Sequence, residues 1–151
     1  MNLAAFLISN KVYFEFLKKK PTHHTAEASQ ASGVPLNELT KSIVFVDQDS
    51  RPLLAVVPGN CHISRHKLEL YSNSKSVRLA SDDIAKAATG YPTGGVPPVG
   101  HKKKLPVFID REVTRQEYVW CGGGARSKLV RLKTEDIVRL TAATVCDLST
   151  D

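Results

Sequence analysis

The stretch from Gly90 to Gly100 holds four glycines and three prolines, a density that no regular helix or strand accommodates. Proline fixes φ at about −65° and removes a backbone donor, while glycine opens conformations closed to other residues. The chain must therefore fold around a built, stiff loop. Such a loop suits a rigid backbone cradle for an oxyanion, a carbonyl or a phosphate, because its amides can be approached without a Cβ in the way. It also suits a purely structural loop, and composition leaves both readings open.

Regular elements are expected on either side. The apolar residues Leu3, Phe6, Leu7, Val12, Phe14, Phe16 and Leu17 predict one helix from Leu3 to Lys19, ended by Pro21. Thr25 caps a short helix over Ala26 to Ser32, closed by Gly33, and Pro35 to Leu39 gives a further helical turn. Ser42 to Val46 and Leu53 to Val57 read as a β-hairpin. Ser64 caps a helix through Leu70, Val77 to Leu79 is a short strand, and Ser81 opens a helix that Gly90 ends. Leu105 to Asp110, Tyr118 to Cys121 and Lys128 to Leu132 read as extended, and Thr134 caps a last helix. The sum is an α+β fold of short mixed strands with helices around them.

At 151 residues and 42% hydrophobic composition, a single domain over residues 1–151 with one proper core is expected. No stretch reaches the roughly 18–20 apolar residues of a membrane span, and the start lacks the basic n-region of a signal peptide. Three scattered cysteines, Cys61, Cys121 and Cys146, argue against a disulfide framework and for a reducing, cytoplasmic location. The net charge of +6 is uneven. Lysines and arginines cluster at Lys18–Lys20, Arg65–Lys75, Lys102–Lys104 and Arg126–Lys133. A polyanion such as tRNA would exploit such clusters through counterion release; a solvated basic surface would show them too.

Several chemistries find no support. His62, His66 and Cys61 hold part of a zinc-like spacing, but His62 precedes the helix expected to hold His66, so no metal is expected. There is no Gly-x-Ser-x-Gly, no Walker loop and no dinucleotide fingerprint, and no cofactor is implied. Lys41 directly precedes an apolar strand. It is either an ordinary surface cation or a fixed charge for phosphate, with the Ser42 hydroxyl beside it. Gly122-Gly123-Gly124 carries the same pair of readings as the longer loop.

The blocks His24-Thr25-Ala26-Glu27-Ala28, Lys41-Ser42-Ile43-Val44-Phe45, Val57-Pro58-Gly59, Thr89 through His101, and Ile109-Asp110 occur in one order and spacing. Together they resemble the YbaK/ProX family of aminoacyl-tRNA deacylases, related to the editing insertion of bacterial prolyl-tRNA synthetases, from about His24 to Leu148. The resemblance implies a mixed, barrel-like sheet ringed by helices. It also implies trans-acting hydrolysis of a mischarged tRNA, such as alanine or cysteine on proline tRNA, with prolyl-tRNA synthetase as a possible partner. It places Lys41, Gly94, Gly95 and Gly100 at the reaction centre, with backbone amides holding the carbonyl. His24, Thr25, Ser42, Pro97, Pro98, His101, Gly122, Gly123 and Gly124 would contact substrate, and Lys102, Lys103 and Lys104 would contact tRNA. Members related to the cysteinyl editor carry an aspartate shortly after the second glycine loop. Here that region reads Arg126-Ser127-Lys128-Leu129, which removes a catalytic carboxylate and strict cysteine specificity from what the resemblance implies. A non-catalytic tRNA- or synthetase-binding module on the same fold is the alternative.

Overall fold

The computed structural model describes residues 2–150. Helix α1 (Leu3–Ser9) leads into strand β1 (Phe14–Lys18), so the single long helix expected over this region is divided in two. Asn10 ends α1, its amide N–H donating back to Phe6 O while the Lys11 amide donates to Ile8 O, and Lys11 takes a left-handed φ of 56°. The alternation of Phe14, Glu15 and Phe16 then follows the two-residue period of a strand. Helix α2 (Thr25–Ser32) is followed by a 3-10 turn (Leu36–Glu38) and the hairpin β2 (Thr40–Asp47) and β3 (Pro52–Pro58). Next come α3 (Arg65–Ser72), β4 (Val77–Leu79), α4 (Asp82–Thr89), β5 (Val107–Asp110), α5 (Arg111–Thr114), β6 (Tyr118–Gly122), β7 (Lys128–Lys133), α6 (Thr134–Thr141) and β8 (Thr144–Cys146).

Most helix ends follow the expected chemistry. Ser64 and Ser81 accept from the amides of Lys67 and Ile84, and Gly33 and Gly90 close α2 and α4 in left-handed conformations. The caps of α2 and α6 fall one residue earlier than expected, at His24 and Lys133. Thr134 is instead the first helical residue, and its hydroxyl donates to Gln116 O at 2.6 Å.

The strands form two sheets. One is antiparallel in the order β1-β7-β6; the other is mixed in the order β4-β2-β3-β5-β8. A parallel bridge between Leu39 and Trp120 joins them. The α+β class and mixed pairing match expectation. The short elements α5 and β8 escaped it, being only four and three residues long. Strand β3 is buried on both faces, which is why it reads as an unbroken apolar run. Its Leu54 and Val56 face the main core with Ile109, Val119, Val130 and Ile137. Leu53, Ala55 and Val57 face a second cluster with Leu68, Phe108 and Leu148. A third cluster, Ala28, Val34, Leu39 and Leu129, seats α2 on the smaller sheet.

The fully buried Asp110 ties the end of β5 to the chain's last segment. Its Oδ1 accepts from the Glu112 amide at 2.9 Å, while Oδ2 accepts from the amides of Leu148 and Ser149 and from the Ser149 hydroxyl. Four donors satisfy this carboxylate, so the Ile109-Asp110 block is a structural tie.

Candidate active site

A cleft of about 610 Å³ opens where the two sheets meet. One wall is the start of β2 (Thr40 to Val44) together with Gly59-Asn60-Cys61-His62 at the end of β3. The other is formed by Thr93, Gly94, Val96 and Gly122, and residues 22–26 cover the top.

Lys41 is half-buried in the first wall. Burial pushes its ammonium below the usual lysine value of 10.5, with nearby Cys61 opposing that shift. No ion pair neutralises it among the described residues. The cation thus faces an open cleft whose lining carboxylate, Asp82, forms no ion pair with it. Thr40 and Ser42 lie beside it, and Thr93 faces them from the other wall. All three hydroxyls are buried and lack a hydrogen-bond partner among the described residues. Thr40 sits near the buried Cys121, offsetting a little of the burial that drives that thiol up to about 12, but no hydrogen bond of good geometry joins them. Ser42 and Thr93 are therefore the clearer unused groups. Buried polar atoms are normally satisfied, so a cleft carrying such a set calls for a polar ligand.

The backbone of β2 adds to this wall. Ala80 N donates to Val44 O at 3.0 Å, whereas Gly59 N donates to Leu39 O at 2.7 Å on the β3 side. Antiparallel alternation therefore turns the N–H and C=O of Ser42 away from β3, as for Val44. Strand β4 pairs only with Phe45 to Asp47, so the outward groups of Ser42 meet no strand there.

The glycine–proline wall is built differently. Gly95 N donates to Pro92 O at 2.9 Å, and Gly124 N donates to Gly95 O at 2.8 Å. The Tyr91 hydroxyl donates to Gly100 O at 3.1 Å. His101 Nε2 lies 2.7 Å from Pro97 O; a carbonyl only accepts, so this nitrogen carries the proton. Burial lowers the imidazole's pKa below 6.5, partly countered by that bond. A Cβ on Gly95 would lie 2.7 Å from the backbone of Ala125, and one on Gly122 would collide with Val96 O. The two glycine loops are in backbone-to-backbone contact, which explains why both are glycine.

Of the residues expected in the site, Lys41, Ser42, His24, Thr25, Gly94 and Gly122 line the cleft. Gly95, Pro97 and Pro98 are buried behind the loop, and Gly100 packs against Phe6 of α1. His101, Gly123 and Gly124 brace the loops. The exposed Lys102, Lys103 and Lys104 lie past the loop's far end, where the amides of Lys102 and Lys103 return to Thr89 and Ala88. The sequence reading missed Thr40, Gly59, Asn60, Cys61 and Thr93. A signal existed for Gly59: it follows proline at a strand end, and a Cβ there would lie 2.8 Å from Leu36 O. Among the described residues no three His, Cys, Asp or Glu side chains gather as metal ligands. His62 precedes the Ser64 cap, while His66 lies in α3.

The chain belongs to the aminoacyl-tRNA editing domain family, whose model matches residues 19–140. It is 30% identical over 129 residues to the EbsC protein of Enterococcus faecalis, covering 85% of this chain and 79% of that one. EbsC carries a provisional name as a Cys-tRNA(Pro)/Cys-tRNA(Cys) deacylase. The proline–tRNA ligase of Nitratidesulfovibrio vulgaris is 35% identical over 91 residues, which are 60% of this chain and 16% of the ligase. A crystal structure described provisionally as a trans-editing enzyme for prolyl-tRNA synthetase superposes with a TM-score of 0.84 at 27% identity, covering 100% of this chain and 99% of the other. No helix among the described residues is long and apolar enough to cross a membrane.

Proposed function

We propose that the chain is a trans-acting aminoacyl-tRNA deacylase that hydrolyses the ester joining an amino acid to the terminal adenosine of a mischarged tRNA. The observation that carries this reading is Lys41: a half-buried cation without an ion-pair partner among the described residues, in a cleft that also holds buried hydroxyls without partners, in a chain of the editing family. Lys41 grips a phosphate next to the terminal adenosine and so places the ester. The exposed amide of Gly94 and the outward N–H of Ser42 are the backbone donors positioned to hold the carbonyl and its developing oxyanion. Gly95 and Gly100 act through loop shape, the Gly95 amide already being committed to Pro92.

Aminoacyl esters are activated, so positioning accomplishes most of the catalysis. A free hydroxyl of the terminal ribose orients the attacking water. Water adds to the carbonyl, the ester C–O bond breaks, and the amino acid leaves as its acid while the ribose oxygen regains a proton. His24 and Thr25 roof the cleft over the substrate, with Gly122 at its floor. Pro97, Pro98, His101, Gly123 and Gly124 keep the pocket's shape, so that a small amino acid such as alanine or cysteine enters and a larger one does not.

Proline tRNA and an association with prolyl-tRNA synthetase fit the names of EbsC and the trans-editing enzyme. Lys102, Lys103 and Lys104 offer one phosphate contact surface. Three unpaired cysteines suit a cytoplasmic location. The deciding experiment is deacylation of alanyl-, cysteinyl-, seryl- and prolyl-tRNA by the purified protein. Release of a small amino acid is expected; no turnover on any of the four would leave a binding module instead.

A further inference from the structure

Two basic clusters far apart in the sequence come together beside the cleft. In the β1–β7 ladder Lys18 stands directly opposite Lys128, whereas Glu15 stands opposite Arg131. Opposite charges across a strand pair stabilise it, and like charges destabilise it; one end of the ladder therefore carries a cost that the other avoids. The two segments run on side by side beyond the ladder, with Lys19 N donating to Ser127 O and Thr22 N to Arg126 O. That continuation brings Lys20 alongside. Lys18, Lys20, Arg126 and Lys128 are all exposed, and none forms an ion pair among the described residues. The acidic group felt here is Glu27, which acts on Lys19 and accepts from the His24 amide.

This ridge is continuous with the cleft. Lys19 lines it and donates to Thr22 Oγ1 and to the Arg126 carbonyl. Arg126 Nε donates to Thr93 O at 2.7 Å, fixing the ridge to the loop beside Gly94.

We infer that Lys18, Lys20 and Lys128 form the surface along which the acceptor stem of tRNA lies while its aminoacylated end occupies the cleft. The inference rests on the deacylase reading for its choice of partner. Its physical content is charge complementarity: a row of cations without ion pairs among the described residues, next to the cleft-lining Lys19, fits a duplex with regularly spaced phosphates, and bound phosphate relieves the repulsion between Lys18 and Lys128, whose ammonium otherwise lies over the Phe16 ring. Lys102–Lys104 lie outside the cleft lining, while this row adjoins it through Lys19.

The test is the triple variant Lys18→Ala, Lys20→Ala, Lys128→Ala, with Lys102→Ala, Lys103→Ala, Lys104→Ala as comparison. Binding of proline tRNA is measured across salt concentrations, with a melting curve for each protein. The ridge variant should bind at least about tenfold more weakly at low salt, and its log–log salt slope should fall by about two to three. Its melting temperature should hold or rise. Cleavage of aminoacyl-tRNA should suffer at least about fivefold more than cleavage of aminoacyl-adenosine, which has no stem to lie on the ridge. Affinity within about twofold of wild type, or equal losses on both substrates, overturns the inference. If the parent protein cleaves neither substrate, the deacylase reading fails while the tRNA-binding and salt measurements still decide the ridge.

Discussion

The two walls of the cleft use their polar groups in opposite ways. Behind the glycine–proline wall the loop's groups are engaged with one another, Gly95 with Pro92 and Gly124, Tyr91 with Gly100, and His101 with Pro97, which leaves the Thr93 hydroxyl and the exposed Gly94 on the cleft side. Along the β2 wall the Lys41 ammonium has no ion pair and the Thr40 and Ser42 hydroxyls no hydrogen bond among the described residues, and the outward backbone of Ser42 lies beyond the reach of β4. The difference teaches that the motif most visible in the sequence supplies shape and rigidity. The polar groups left free to meet a ligand sit mostly on a short piece of strand edge.

Replacing Lys41 tests that division most severely. A charge-assisted contact is worth about 1.5–3 kcal/mol, and misplacing the ester by about 1 Å costs a further hundredfold or so. Lys41→Ala should therefore lower kcat/KM for deacylation by about a thousandfold. Its folded pKa lies below the ordinary 10.5 because burial disfavours the charge. The charged side chain thus costs stability at neutral pH, a cost relieved only as pH rises from the folded value toward 10.5. The variant should melt at the same temperature or higher. Near wild-type activity in a folded Lys41→Ala protein would erase the contrast between the walls.

On the other wall the large effect should be on folding. Gly122→Ala pushes a methyl group into Val96 O, and overpacking of this kind costs about 1–3 kcal/mol. Chemical denaturation should show that loss, with activity falling because the pocket distorts. A variant as stable as the parent would mean that the loops yield easily.

Ser42→Ala and Thr93→Val remove hydroxyls that have no partner in the free protein. Stability should change by no more than about 0.5 kcal/mol in either direction. Deacylation should weaken by about tenfold, the worth of one hydrogen bond. Unchanged kinetics in both would leave those hydroxyls without a role in the cleft.

The smallest effect expected is a pH dependence. Burial holds His101 below its ordinary 6.5, so as pH falls the unfolded chain is protonated first. Stability is then lost between pH 6.5 and the lower folded value. His101→Phe should flatten that part of a stability–pH curve while losing the brace to Pro97. A curve identical to wild type would show that the imidazole titrates alike in both states.

Much of the frame was legible because its signals are local: serines ahead of α3 and α4, glycines behind α2 and α4, and the apolar runs of the hairpin. Strand β1 was hidden because Phe14 and Phe16 also extend the apolar pattern of α1, and only its pairing with β7 settles the matter. Lys41, Ser42 and Gly94 could be named in advance from their motifs. Thr40, Cys61 and Thr93 could not, since their place in the cleft comes from contacts between distant segments. The same holds for the Lys18–Lys128 pair. The glycine run invited a ligand-binding reading for Gly95 that the Gly95–Pro92 bond redirects toward loop structure.

The contact between the two glycine loops also limits how such a pocket can diverge. At Gly95 and Gly122 even a single methyl group meets backbone, so a lineage cannot adjust that side one substitution at a time without first passing through a damaged fold. At Asn60, Cys61 and Ser42 side chains already line the space. Inherited change in which amino acid is accepted should accumulate on the β2 side, while the glycine side stays as a fixed template shared by descendants with different substrates.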